Sequence, residues 1–565
     1  MKVLLVNPYC WEERVHTEDV EAVPIGLFTL AATLRDKDVE AGILNAAHLR
    51  DRPDRIRAAL AEWQPDLVGV SVLNATRWGA VDIARMAREI NPAVRVVFGG
   101  VAATFLWEHF LTEIPEVDAV VLGEGEAVFP ALIQALEGGD APDPVALEAL
   151  PGIAFRKNGA PFRTRDAEPI PDLAALPNPA RWFTYQHLAL TRGCPAGCSF
   201  CGSPRFWGRK VRFHSPRYFV DQMEILQGRG VSFFYVSDDT FTLKPEITIQ
   251  VCKEIIRRGL RVSWAAISRV DLVDEEVLAW MRRAGCTQIS YGVEHGDPEI
   301  RKTLGKRISD AAVAQAFGLT TRYGILPRAY FIYGCPGETE ETVARTEALI
   351  RRIRPLSAIF YILAVFPGTG LYEEMKRHFG VTDAIWKERI EDILWFEYDP
   401  NLSKEEVLAW GKRLREGFHR ALPDFVRKIE VIDDPEFAPL HADFFSRLGM
   451  TFLRGDYAPV AEISNQAGMA AELFRRSLAH APDERAFLGL GMLRQDARDM
   501  EGAIQRFEEG IGNFPQSLHL NLGLGVSLMN LGRFSEALAA LQPFAGDRTV
   551  AGYVGECERV LGRQG

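Results

Sequence analysis

The chain has 565 residues, with 76 acidic against 65 basic side chains and a formal charge of −11. That length allows about three or four domains, and no basic stripe argues for nucleic acid. An apolar fraction of 47% fits soluble globular folds, no apolar run of about 18 residues offers a membrane span, and the eight cysteines fit a reducing, cytoplasmic setting.

The N-terminal run Met-Lys-Val-Leu-Leu-Val-Asn-Pro is too short for a signal peptide and lacks a small-residue cleavage site. It reads as a buried strand over Val3 to Val6. A helix is expected from Ile25 to Arg35 and a strand from Leu67 to Val72. Then come a helix from Val81 to Ile90, a strand from Val94 to Phe98, a helix from Phe105 to Glu113 and a strand from Ala119 to Leu122. Strands alternating with helices imply a parallel sheet, whose ligands bind at the carboxyl ends of the strands. Those ends carry Asn7, Pro8 and Tyr9; Asn74 and Thr76; Gly99, Gly100 and Thr104; and Gly123, Glu124 and Gly125. Small residues there let a large flat ligand approach the backbone. No G-x-G-x-x-G follows the first strand, which disfavours a dinucleotide. Residues 142–182 are rich in Pro and Asp and read as a linker with a small hairpin at Gly152–Gly159.

Cys194, Cys198 and Cys201 follow, in the spacing C-x3-C-x2-C, with Phe200 before the last. Three thiolates on one short loop can hold three irons of a [4Fe-4S] cluster and leave the fourth iron open to a small molecule. Structural zinc wants four ligands, and only His187 and His214 flank the loop. The odd count argues against disulfides. An exposed cluster with an open iron is oxygen-sensitive, which suggests anaerobic or microaerobic conditions.

Beyond the loop, βα alternation resumes. Strands are expected at Phe233–Val236, Val262–Ile267, Gln288–Tyr291, Arg328–Ile332 and Ala358–Val365, with helices between them. This pattern predicts a parallel partial or full barrel with its site at the carboxyl ends of the strands. There stand Asp238, then Ser268 and Arg269, then Glu294, then Tyr333 to Glu338 around Cys335. Cys252 and Cys286 read as core thiols. Tyr330, Tyr333 and Tyr361 are expected to point toward the mouth. From about Trp386 strands vanish. Lys404 to Arg420 is an amphipathic helix capped by Ser403. Gly489 and Gly491 recur as Gly523 and Gly525 at a period of 34, as in stacked helix–turn–helix units.

The cysteine loop and the strand-end motifs resemble the radical S-adenosylmethionine (SAM) enzymes. The first 140 or so residues resemble the cobalamin-binding domain that precedes many of them, through Pro24-Ile25-Gly26-Leu27, Gly99-Gly100 and Gly123-Glu124-Gly125-Glu126. The C-terminal period resembles tetratricopeptide repeats. The resemblance implies an α/β chain: a Rossmann-like cobalamin-binding domain (1–141), a linker (142–182), a radical SAM partial (βα) barrel (183–380), a helical extension (381–457) and an all-α repeat region (458–565).

By the same resemblance, Cys194, Cys198 and Cys201 hold the cluster, whose open iron chelates SAM. Phe200, Asp238, Ser268, Arg269 and Glu294 contact SAM, and the first sheet's strand-end residues contact cobalamin. The D-x-H-x-x-G motif of cobalt-ligating relatives is absent. The implied activity is methylation of an unactivated carbon through a 5′-deoxyadenosyl radical and methylcobalamin. The alternatives are oxidative cyclisation or rearrangement without methyl transfer, as in the anaerobic magnesium-protoporphyrin cyclase, and a non-catalytic redox-sensing scaffold. Expected partners are a small-molecule, lipid or peptide substrate, an electron donor such as flavodoxin or ferredoxin, and a protein bound through the repeats. The repeats read alternatively as a packing buttress or dimer surface.

Overall fold

The computed structural model describes residues 1–12, 22–137 and 144–564; the boundary expected at 141/142 lies outside the described residues. Short apolar runs in the first part form strands β1 (Lys2–Asn7), β2 (Glu40–Asn45), β3 (Leu67–Ser71), β4 (Arg95–Gly99) and β5 (Ala119–Val121). They pair in parallel in the order β2-β1-β3-β4-β5. The order reverses beside β1, where open α/β sheets bind ligands. The hairpin β6 (Ile153–Lys157) and β7 (Ala160–Arg163) joins this sheet antiparallel to β5. It is therefore not part of a free connector, as its position in 142–182 suggested.

The second sheet begins at β8 (His187–Leu188). A two-stranded hairpin of β9 (Thr191–Arg192) and β10 (Arg212–Phe213) encloses the cysteine loop. Five longer strands complete the sheet: β11 (Phe233–Val236), β12 (Ser263–Ser268), β13 (Cys286–Glu294), β14 (Leu326–Tyr333) and β15 (Ser357–Ile362). All six pair in parallel, in the order β15-β14-β13-β12-β11-β8. Side chains cap several of its intervening helices, though not Pro245–Arg257, which opens on its proline. Ser215 accepts from the Tyr218 amide, Asp274 from Val277 and Ser309 from Ala312.

Helix Lys404–Arg427 lies along the outer face of β14 and β15, with the Phe418 ring 6.3 Å from Phe360. Helix Ala438–Leu453 covers the opposite end of the sheet from the strand-end motifs. Its Asp443 pairs with buried Arg282 at 2.9 Å, and its Arg447 donates to Ser263 at the start of β12 at 2.9 Å. The six helices that follow, from Gln466 to Gln564, stack in succession. Phe474 lies against Gly449 and Gly489, and Phe507 against Gly491 and Gly523, so the same wedge of a ring between two glycines recurs. Among the described residues no helix is long and apolar enough to cross a membrane.

A Cβ at position 491 would fall 2.2 Å from the Phe507 ring. Gly491→Val is therefore expected to cost about 2 kcal/mol by overpacking, read as a lower melting temperature.

Candidate functional site

The cysteine loop is clamped at the carboxyl end of the second sheet. The Ser199 amide donates to the Leu304 carbonyl at 2.9 Å, and the Ser199 carbonyl accepts from the Leu371 amide at 2.8 Å. Gly305, in a left-handed turn (φ +69°), lies so close that a Cβ there would sit 2.5 Å from the Gly197 carbonyl. Cys194 is buried, Cys198 and Cys201 are half-buried, and all three are free thiols. Burial pushes the Cys198 thiol up and Cys201 to about 12, and the three thiols act on one another. Metal would have to displace their protons. Among the described residues no three His, Cys, Asp or Glu side chains converge on a single ion. His187 is stacked on Tyr235 and bonded to Ser237, and His214 is stacked on Tyr218. Phe200 is half-buried and packs on the core.

The strand-end residues divide. Glu294 and Arg269 stand near Cys198 and interact with its charge. Glu294 adopts φ +68°, an uncommon conformation for a residue with a Cβ, and its carboxylate takes an ion pair from buried Lys306 at 2.9 Å. Arg269 is held by both oxygens of Asp271, at 3.0 and 2.8 Å. Asp238 and Ser268 turn into the fold instead. Asp238 accepts from the Leu190 amide at 3.0 Å and from the Thr191 hydroxyl, and Ser268 bonds Thr242. Asp239, which the sequence analysis did not single out, is the carboxylate beside Cys201 and bonds Ser203.

Behind this row His295 and Glu338 join the ends of β13 and β14. The Asp297 amide donates to His295 Nδ1, so the proton sits on Nε2 and is donated to Glu338 at 2.9 Å. The other Glu338 oxygen accepts from the Gly334 and Cys335 amides. Cys335 is fully buried rather than facing the mouth. Tyr333 also faces away: it lies against Gly411 of helix Lys404–Arg427, and its hydroxyl accepts from Arg415 at 3.3 Å. Tyr330 and Tyr361 share the opposite face, with rings 5.8 Å apart.

In the first sheet an apolar cleft opens at the carboxyl ends of β1, β3, β4 and β5. Gly99, Gly100, Gly123, Glu124 and Gly125 line it, as expected at such ends. Leu5, Gly69, Val97, Val121 and Phe129 also line it; the sequence presents these as ordinary core residues. Six expected residues do not line it. Asn7 donates to Asn45, Pro8 is buried, and Tyr9 donates to Asp82. Asn74 accepts from Arg77, and the Thr76 hydroxyl accepts from the Leu73 amide. Thr104 shapes the rim by accepting from the Gly123 amide at 3.0 Å. No histidine lines the cleft among the described residues.

The Radical SAM superfamily model matches residues 188–350, and the B12 binding domain model matches residues 15–133. An uncharacterised methyltransferase of Pyrococcus horikoshii, PH0819, is 31% identical over 66% of this chain and 83% of its own length. The chain belongs to the cobalamin-dependent radical SAM enzymes. Their cofactors are a [4Fe-4S] cluster, SAM and cobalamin. The anaerobic magnesium-protoporphyrin IX monomethyl ester cyclase of Rubrivivax gelatinosus is 30% identical over 57% of this chain and 60% of its own length. The structure of the radical SAM methyltransferase TsrM of Kitasatospora setae, with cobalamin and a [4Fe-4S] cluster bound, shares the fold. It aligns with a TM-score of 0.60 at 19% identity, covering 85% of this chain and all of that one.

In this radical SAM enzyme the two mouths are joined by buried charges. Glu124 pairs with Arg212 and accepts from the Ile170 amide at 3.0 Å; Glu126 pairs with Arg192, which also lies 3.6 Å from Glu124. The Arg192 guanidinium sits over the Trp207 ring at 5.1 Å. Cleft and cysteine loop thus share the β9–β10 hairpin.

Two outcomes follow from these bonds. Burial pushes Asp238 up to about 6, against 3.8 for an unperturbed aspartate. Its contribution to stability is full below 3.8 and is lost as pH rises through about 6. Asp238→Asn is expected to flatten the pH dependence of the melting temperature of metal-free protein between about pH 4 and 7. Glu294→Gln strands the buried Lys306 ammonium, at a cost of about 3 kcal/mol, measurable by denaturant titration.

Proposed function

We propose that this enzyme transfers a methyl group to an unactivated carbon. Cys194, Cys198 and Cys201 would hold the cluster, Glu294, Arg269 and Asp239 would contact SAM, and the apolar cleft would hold cobalamin. The observation that carries the reading is a shared wall: Phe206 and Trp207, just beyond Cys201 in sequence, line the cleft. A ligand there would lie next to the cysteine loop. The apolar lining and small residues fit a bulky ligand with an aromatic end. The methyltransferase name of the Pyrococcus relative supports methylation.

When bound, the cluster and cobalamin supply reductive cleavage of SAM and carriage of a methyl group. The chain's own residues position and shield. The Arg269 guanidinium can pair with the carboxylate of SAM, and Glu294 and Asp239 can accept from its ammonium or ribose hydroxyls. The His295–Glu338 bond and the clamps on Ser199 hold these groups in fixed relation. Trp207 screens the junction from water.

The cyclase relative supports a second reading, oxidative ring formation with the same cofactors. Electrons would come from a flavodoxin or ferredoxin in the cytoplasm. The stacked C-terminal helices would act as tetratricopeptide-like repeats that bind a protein partner. Their attachment through helix Ala438–Leu453, at the end away from the cysteines, supports docking of a partner rather than substrate delivery.

After anaerobic reconstitution with iron, sulfide and cobalamin, SAM and reductant are expected to yield S-adenosylhomocysteine together with 5′-deoxyadenosine. Deoxyadenosine alone would favour the cyclase reading. Cys198→Ala is expected to lose iron and abolish SAM cleavage; full iron and turnover in that variant would overturn the cluster assignment.

A further inference from the structure

The two faces of the second sheet are filled differently. On the outer face Ala329, Phe331 and Phe360 are buried, and Phe331 stacks on Phe360 at 5.4 Å beneath helix Lys404–Arg427. Side chains alternate along a strand, so Arg328 and Tyr330 of β14 turn to the inner face, beside Ile359 and Tyr361 of β15. These four, and Ile267 of β12, are only half-buried. Apolar and aromatic side chains thus line a hollow inside the partial barrel that no core residue fills. Its mouth is the row of strand ends that carries Glu294 and Arg269.

One charge stands inside. Apart from Glu294 at the mouth, Arg328 is the only charged residue in β12, β13, β14 and β15. Its Nε donates to Ser357 at 3.1 Å, and among the described residues it enters no ion pair. Nη1 and Nη2 have no protein partner, yet neither is shielded from solvent, so both face the open space of the hollow. The neighbouring cations are already answered: Arg269 by Asp271 and Lys306 by Glu294. A half-buried cation with no counter-charge is costly and calls for an anion.

The chemistry of that anion follows. A guanidinium takes a carboxylate through two parallel bonds, and one positive charge balances one negative charge. A phosphate monoester brings nearly two negative charges and would leave one over. An ammonium would be repelled. Toward the mouth the rings of Tyr330 and Tyr361, 5.8 Å apart, offer flat apolar walls. Glu294 stands opposite Phe331, three residues beyond Arg328, which is about 10 Å along the strand.

We propose that Arg328 anchors a carboxylate of the substrate at the inner end of this hollow. The substrate class is then a carboxylic acid with an apolar or aromatic body, reaching roughly 10 Å from its carboxylate to the level of Glu294. The inference rests on the radical SAM reading above and names the substrate for that site. Arg328 sets specificity by holding the end of the substrate remote from SAM.

The test uses full-length protein labelled with fluorotyrosine and followed by fluorine NMR. The signals of Tyr330 and Tyr361 are assigned with Tyr330→Phe and Tyr361→Phe. The protein is titrated with phenylpropionate and indoleacetate, and with the neutral amide of each. Each acid is expected to shift the two signals and to bind at least about tenfold more tightly than its amide. Arg328→Gln is expected to bring the acids to the affinity of the amides and to leave the amides unchanged. A purely structural role for the bond to Ser357 would not produce that pattern. No shift by either acid, equal affinity of acid and amide, or an acid preference that survives Arg328→Gln would each overturn the anchor. Should the Arg328→Gln chain not fold, the wild-type ratio read at the two tyrosines decides alone. These titrations need no turnover, so failure of reconstituted wild type to cleave SAM would fall on the radical SAM reading instead.

Discussion

Glu124 and Glu126 reach from the turn after β5 to Arg212 and Arg192 on the β9–β10 hairpin, and all four side chains are at least nine-tenths buried. Two mouths, each at the carboxyl ends of its own parallel sheet, are held face to face by these pairs. Burying four charges is costly, and an apolar contact of the same size would bind as well or better. What charged pairs add is register: Glu126 takes Arg192, and Glu124 takes Arg212 with Arg192 3.6 Å away, in one arrangement. The turn that lines the cleft is thereby tied to the strand that leads into Cys194. A slip between the sheets would leave a buried charge alone, which makes the juxtaposition the least negotiable part of the architecture.

The two halves of the site are built by different means. On the second sheet, side chains are fixed by polar bonds: Lys306 on Glu294, Asp271 on Arg269, and His295 on Glu338. That suits groups meant to meet a charged, polar ligand. On the first sheet the cleft is a matter of shape. Leu5, Gly69 and Val97 stand side by side on one face in the register of β1, β3 and β4, and Gly69 leaves room between larger neighbours. That suits a bulky apolar guest.

Much of this was legible beforehand. The helix expected from Ile25 to Arg35 and the strand from Phe233 to Val236 have those bounds, since a Pro before the first and turn residues after the second punctuate them. The three cysteines, close in sequence, are free thiols as expected. Strand β2 escaped notice because Glu40, Ala41 and Gly42 are poor strand formers; Gly42 is there to admit the Trp63 ring, a long-range contact no local pattern displays. Asp238 and Asp239 are adjacent, and strand phase alone decides which one faces the mouth; an error of one residue reverses the answer. The cleft walls look like any buried strand, because an apolar side chain reads the same whether it meets another core residue or a ligand. The pairing of Glu124 and Glu126 with Arg212 and Arg192 joins residues more than 60 positions apart, beyond the reach of any periodicity.

Helix Ala438–Leu453 lies under the starts of the strands and is made only after all of them. A growing chain emerges amino end first, so the ribosome finishes both mouths before the base beneath the second one exists. Until Asp443 and Arg447 arrive, Arg282 lacks its counter-charge and Ser263 a partner. The base of the second sheet thus depends on a helix that is synthesised after every strand it covers.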